Sequence, residues 1–191
     1  MTRGQPDLWV ARHGETEWSR TRKHTSVTDL PLTAEGERAA RELRTRLAGT
    51  SFDLVLTSPL LRARDTVQLA GFGDRAEVDA DAHEWRYGEY EGLTTAQIQR
   101  DSPGWTIWTH PVPGGEKALE VAERVDRIID RVRTEAGERA LLFAHGHLLR
   151  VLGARWIGQP AEAGAHLVLD TTTVSVLGWE RDTPAILSWN A

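Results

Sequence analysis

Two histidine-glycine pairs each close an apolar run: Leu8-Trp9-Val10-Ala11 leads into Arg12-His13-Gly14-Glu15, and Leu141-Leu142-Phe143-Ala144 leads into His145-Gly146-His147. Imidazole can serve as nucleophile, base or donor near neutral pH. Arg12, and Arg62 after a third apolar run, add planar forks of donors that suit phosphate oxygens. Two guanidiniums can neutralise a phosphoryl group in flight without a metal, so no cofactor is expected. A glycine beside each histidine lets the backbone approach a ligand and open its amides toward it.

These residues can meet only if the chain brings the runs together. Segments 8–11, 52–57 and 139–144 read as short buried strands bounded by polar or glycine signals. Parallel strands deliver the residues at their carboxyl ends to one sheet edge, where ligands bind. Helical patterns lie between them. Thr33 opens a stretch with Ala39, Ala40, Leu43 and Leu47 at helical spacing, closed by Gly49. Ser58 and Pro59 read as the cap and first position of a helix running to Leu69, which puts Arg62 near its positive end. Gly114-Gly115-Glu116 precedes the longest helix, with Leu119, Val121, Ala122, Val125, Ile128, Ile129 and Val132 on its inner side. Another helix is expected from about His147 to Ile157, and His166 is assigned to a strand. Val174 to Trp179 and Ile186 to Trp189, joined by Arg181-Asp182-Thr183-Pro184, read as an antiparallel hairpin. The expected fold is α/β: a three-layer α/β/α sandwich with a mostly parallel sheet, a C-terminal antiparallel hairpin and a small irregular cap. The cap, at about 81–113, is read as an insertion in one domain spanning 1–191.

Several blocks together carry a family resemblance. Arg12-His13-Gly14-Glu15-Thr16-Glu17-Trp18 resembles the Arg-His-Gly-Glu-Thr signature of the histidine phosphatase superfamily, in its phosphoglycerate-mutase-like branch. Asp29-Leu30-Pro31-Leu32-Thr33-x-x-Gly36, Thr57-Ser58-Pro59-Leu60-x-Arg62-Ala63-x-x-Thr66, Glu84-x-x-Tyr87-Gly88-x-x-x-Gly92 and His145-Gly146 resemble its later blocks, in order along nearly the whole chain. The resemblance implies that His13 accepts phosphate and that Arg12, Arg62 and His145 clamp the transferring group. It makes Glu84 the residue that protonates the leaving alkoxide and then activates water. A cationic pocket should hold His13 neutral while Glu84 must start protonated, which implies a bell-shaped pH dependence.

Ser19, His24, Thr25, Tyr87, His147 and Arg150 are the candidate substrate-binding residues. Ser19 stands where the branch commonly has asparagine, a shorter reach to a phosphate oxygen. The loop from Ser19 to Thr28, with Arg20, Arg22 and Lys23, reads either as the pocket entrance or as a solvated charged face. Glu84-Trp85-x-Tyr87-Gly88-x-Tyr90-Glu91-Gly92, Trp105-x-x-Trp108 and Phe143 to Arg150 look most like the sedoheptulose-bisphosphatase group, which implies a sugar phosphate. The expected activity is a metal-independent phosphomonoesterase. The alternatives are a phosphoglycerate-type phosphomutase, which this compact chain disfavours, and a non-catalytic phosphate-binding protein on the same fold. A metal-dependent hydrolase using His13, His145 and His147 is opposed by the arginines, which a bound cation would repel.

Composition narrows the partners. A net charge of -5 argues against broad binding to nucleic acid or anionic membrane, and a small phosphorylated substrate is the expected partner. The chain has no cysteine, so thiol nucleophiles and disulfides are excluded. No apolar run reaches the length of a signal-peptide core or a membrane span, and a cytoplasmic location is expected. No residue pattern specifies an oligomeric state.

Overall fold

A computed structural model describes residues 5–191, so the first four residues of the expected 1–191 domain lie outside the described residues. The elements run β1 (Asp7–Arg12), α1 (Glu17–Arg20), α2 (Ala34–Leu47), β2 (Leu54–Thr57), α3 (Leu61–Leu69), β3 (Glu77–Val78), α4 (Thr95–Asp101) and α5 (Ala118–Glu135). They continue through β4 (Arg139–Ala144), α6 (Gly146–Trp156), β5 (Val174–Glu180) and β6 (Thr183–Ser188). One six-stranded sheet has the order β3-β2-β4-β1-β5-β6, parallel from β3 to β1 and antiparallel where β5 and β6 join.

Strand alternation divides the core between the two faces of this sheet. Leu8 and Val10 of β1, Leu54 and Leu56 of β2, and Ala140, Leu142 and Ala144 of β4 share one apolar cluster with α5 and α6. Ala11, Val55, Leu141 and Phe143 point the other way, into a cluster with Leu43 and Leu47 of α2 and Val67 of α3. In α5 the buried Val121, Val125, Ile128 and Val132 recur at helical spacing, and each such side chain contributes about 1.5–3 kcal/mol when fully buried.

The register at the sheet centre positions the site. Arg12 pairs with Ala144 at the ends of the adjacent parallel strands β1 and β4, so the next residues, His13 and His145, emerge side by side. His13 N donates to Ala144 O at 3.0 Å, and Ser58 N, just past β2, donates to Phe143 O at 2.9 Å. Three strand ends thus present three polar side chains in a row.

Four local expectations are corrected. Helix α3 starts at Leu61, not at Pro59: Leu60 is its cap position, and Asp29 Oδ1 accepts the Leu61 amide at 2.7 Å. Ser58 Oγ accepts the Leu60 amide ahead of the helix at 3.3 Å and is also engaged by His145 at 2.7 Å. Leu119 is 68% exposed, because it sits in the first turn of α5 before the helix meets the sheet. His166 ends a 3-10 helix, Ala161–His166, and not a strand. The β2 strand begins at Leu54, after Asp53 has turned to accept the amides of Glu138 and Arg139.

Candidate active site

His13 is buried, and its Nδ1 donates to Gly14 O at 2.7 Å. That bond fixes the tautomer in which Nε2 is bare. Burial, reinforced by Arg62 and Arg12, pushes the imidazole well below its usual range, so it stays neutral with a lone pair available. The Gly14 amide donates to Thr66 Oγ1 at 2.9 Å, so it is not opened toward a ligand as the sequence reading expects. The glycine is needed because α2 passes close by, with Gly36 O 2.7 Å from where a Cβ would lie.

The ring of His145 lies 5.1 Å from that of His13. Arg62 Nε donates to His145 Nδ1 at 3.2 Å, which makes Nε2 the protonated nitrogen, donating to Ser58 Oγ at 2.7 Å. Burial, with Arg62 the next cause, keeps this ring neutral too. Arg62 is wholly buried, and it also donates to the carbonyls of Thr25, Ser26 and Thr28. Arg62 and His145 therefore lie one layer beneath His13, tying the entrance loop to the strand ends.

Arg12 forms the upper layer. Its Nη1 donates to Leu169 O at 2.5 Å, while its buried Nε has no hydrogen-bond partner among the described residues. Its guanidinium lies against Gly146, where any Cβ would sit 3.3 Å from it. A buried cationic donor without an acceptor is costly.

Glu84 closes the opposite side. Its Oε1 accepts the amides of Trp85 (2.8 Å) and Leu148 (2.9 Å), and Oε2 accepts only that of His147 (3.1 Å). The carboxyl group thus caps the first turn of α6, and Oε2 retains a lone pair. A cavity of about 360 Å³ is lined by Arg12, His13 and Glu84 together with Ser19, His24, Thr25, Tyr87, His147 and Arg150. The structure gathers all six candidate substrate residues there.

Their roles in the wall differ. Ser19 Oγ is spent on a reciprocal cap with Thr16. Thr25 Oγ1 donates to Lys23 O. Tyr87 hydroxyl and His147 Nδ1 share a 2.6 Å hydrogen bond, and the His24 ring packs 4.7 Å from that of Tyr87. Burial holds His24 at about 4 and pushes His147 well below its usual range. Arg150 stacks 4.6 Å over Trp108 and donates to Gly164 O and Ala165 O.

Of the entrance loop, Arg22 and Lys23 line the cavity, and Arg20 turns out to pair with Glu17. The metal alternative finds no support in placement: among the described residues no three His, Asp or Glu side chains converge as a metal-binding group. Thr16, Thr95, Leu169 and Asp170 also line the cavity and were missed in the sequence. Thr16 belongs to the Arg-His-Gly-Glu-Thr block but was not singled out, whereas Thr95 and the adjacent pair Leu169 and Asp170 carry no local signal, arriving from a helix start and a distant loop. Ser58 had a signal, but it was read as a helix cap.

The family described as histidine phosphatase superfamily (branch 1) matches residues 8–191. The chain is 38% identical to an acid phosphatase of Mycobacterium tuberculosis over 177 residues, 91% of this chain and 86% of that protein. It is 37% identical to sedoheptulose 1,7-bisphosphatase of Saccharomyces cerevisiae over 186 residues, 80% of this chain and 68% of that one. A solved structure of a Mycobacterium tuberculosis open reading frame superposes with a TM-score of 0.92 at 33% identity, covering 97% of each chain. Among the described residues no helix is long and apolar enough to cross a membrane.

Proposed function

This chain belongs to the histidine phosphatase superfamily (branch 1) and is a phosphatase, and from that premise we propose that it is a metal-independent phosphomonoesterase of the cytoplasm, hydrolysing a sugar phosphate through a phosphohistidine on His13. The observation that carries this reading is the bare, neutral Nε2 of His13, oriented by the Gly14 carbonyl beside a buried Arg12 donor that lacks an acceptor.

His13 Nε2 attacks phosphorus in line, and the bond from phosphorus to the sugar oxygen breaks. Glu84, protonated at Oε2, gives its proton to that oxygen as it leaves. Arg12 donates to the phosphoryl oxygens directly. Arg62 adds its charge from the layer below, and His145, held between Arg62 and Ser58, packs beside the nucleophile. In the second half, Glu84 takes a proton from water as the water oxygen attacks phosphorus. The P–N bond breaks, inorganic phosphate leaves, and His13 and the protonated Glu84 are restored. Positioning and charge stabilisation supply most of the acceleration.

Two features favour a sugar as the leaving group. The wall of His24, Tyr87 and His147 is neutral and partly aromatic, and it carries hydrogen-bonding edges suited to a polyhydroxylated ring. The 37% identity to a sugar bisphosphatase points the same way.

The test measures kcat/KM of the wild type and His13→Ala on p-nitrophenyl phosphate, mono- and bisphosphorylated sugars, 3-phosphoglycerate, phosphoserine and nucleotides, with and without a chelator. The expected result is sugar-phosphate hydrolysis, indifferent to chelator and abolished in the variant. Retained turnover in His13→Ala would remove the nucleophile. Preferred turnover of phosphoserine or nucleotides would remove the sugar, and phosphate returned to another oxygen of 3-phosphoglycerate would favour the mutase.

A further inference from the structure

Glu84 is held by more than the helix it caps. Arg124, on the inner face of α5 and only 6% exposed, presents a fork to Glu116: Nε donates to Oε1 at 2.8 Å and Nη2 to Oε2 at 2.9 Å. Its Nη1 donates to the carbonyls of Asp81 (2.5 Å) and His83 (3.0 Å), just before Glu84. Glu116 takes hold just after it. Its Oε2 accepts the Arg86 amide at 2.9 Å, its own amide donates to Arg86 O at 2.9 Å, and its carbonyl accepts the Trp85 indole at 2.9 Å. Gly115 permits this approach, since a Cβ there would fall 2.4 Å from Arg86 O.

An arginine facing the core between Val121 and Ile128 needs a reason. Stability alone is a poor one, because a buried ion pair gains little over an apolar pair of similar volume. What the pair supplies is fixed geometry: two Arg124 contacts and three Glu116 contacts reach the strip from Asp81 to Arg86, the other two Arg124 contacts lock it to Glu116, and that strip carries Glu84. We propose that Arg124 and Glu116 are positioning residues that hold the Glu84 carboxyl group at the leaving-group oxygen. The proposal rests on the acid role given to Glu84 above. An error of about 1 Å in such a group costs up to roughly 100-fold in rate.

In kcat/KM, which reports steps only through leaving-group departure and not the later attack of water, a misplaced acid hurts only those leaving groups that need its proton. A sugar alkoxide leaves poorly without one, whereas p-nitrophenolate leaves as a stable anion. The experiment compares kcat/KM for a sugar phosphate and for p-nitrophenyl phosphate in the wild type, Arg124→Lys, Glu116→Gln and Glu84→Gln. Because both substrates are assayed on one preparation, their ratio does not depend on the folded fraction. The expected result is that Arg124→Lys and Glu116→Gln lose about 10- to 100-fold on the sugar phosphate and less than about 3-fold on p-nitrophenyl phosphate, in the pattern of Glu84→Gln. If Glu84→Gln shows that pattern and the other two lose equally on both substrates, or on neither, the positioning role is overturned while the acid role stands. If Glu84→Gln itself fails to discriminate, both fall.

Discussion

The floor and the rim of the cavity are built by different means. The floor is His13 at the end of β1, backed one layer below by His145 and Ser58 at the ends of β4 and β2, set by sheet register and locked by Arg62. The rim is the loop from Ser19 to Thr28 laid against the cap. It is joined there by an isolated bridge between Lys23 and Thr94, by the His24 and Gly92 amides, and by the Glu91 carboxylate, which accepts the amides of Ser26 and Thr28 and the Ser26 hydroxyl. On the proposed mechanism, chemistry common to every phosphate ester falls to the strand ends. Groups that meet the rest of the substrate sit on the part whose side chains can change without moving a strand.

The comparison is broken first at the floor. His13→Ala is expected to lower kcat/KM by at least about 10⁴-fold on every substrate alike, measured against p-nitrophenyl phosphate and a sugar phosphate together. A loss confined to one substrate would mean that the floor is not generic. At the rim, Glu91→Gln removes the charge that gathers Ser26 and Thr28. Roughly a 10-fold loss in kcat/KM on sugar phosphates is expected, chiefly through KM, with a smaller change on p-nitrophenyl phosphate. Tyr87→Phe should have a smaller effect. It deletes the hydroxyl that meets His147 Nδ1, and it should change KM among sugar phosphates by a few-fold while leaving kcat nearly constant.

Acidity acts on both regions alike. His13, His24, His145 and His147 all have imidazoles held below their usual range in the folded protein, burial being the leading cause for each. Below about pH 6.5 the unfolded chain therefore binds protons at these sites that the folded chain does not. Stability is full above that pH and is lost as pH falls, through about 4 for His24 at the rim. Thermal melts between pH 7 and 4 should show a falling Tm, and His24→Gln should fall less steeply. A Tm independent of pH over this range would contradict the burial of neutral imidazoles.

What could be read from the sequence follows the same division. His13 and His145 were legible because each closes a run of apolar residues before a glycine, and strand ends are local. Arg62 and Glu84 were legible only as members of spaced blocks; their depth in the site depends on partners from the entrance loop and from the end of β4 running into α6. Ser58-Pro59 misled, since good capping chemistry beside a helix was outweighed by a histidine arriving from β4. Helix α4 carried a readable start, Thr94 with Gln97 three residues on, which the surrounding glycines and prolines obscured. Arg124 was hidden because its partners, Glu116 and the carbonyls of Asp81 and His83, are settled by tertiary packing.

The central claim is that phosphate passes through His13 before it reaches water. Hydrolysis of an isotopically chiral phosphate monoester, with the configuration of the released phosphate then determined, tests it most directly. Two in-line transfers predict net retention at phosphorus, and net inversion would mean that water attacks the ester itself and that His13 forms no covalent bond.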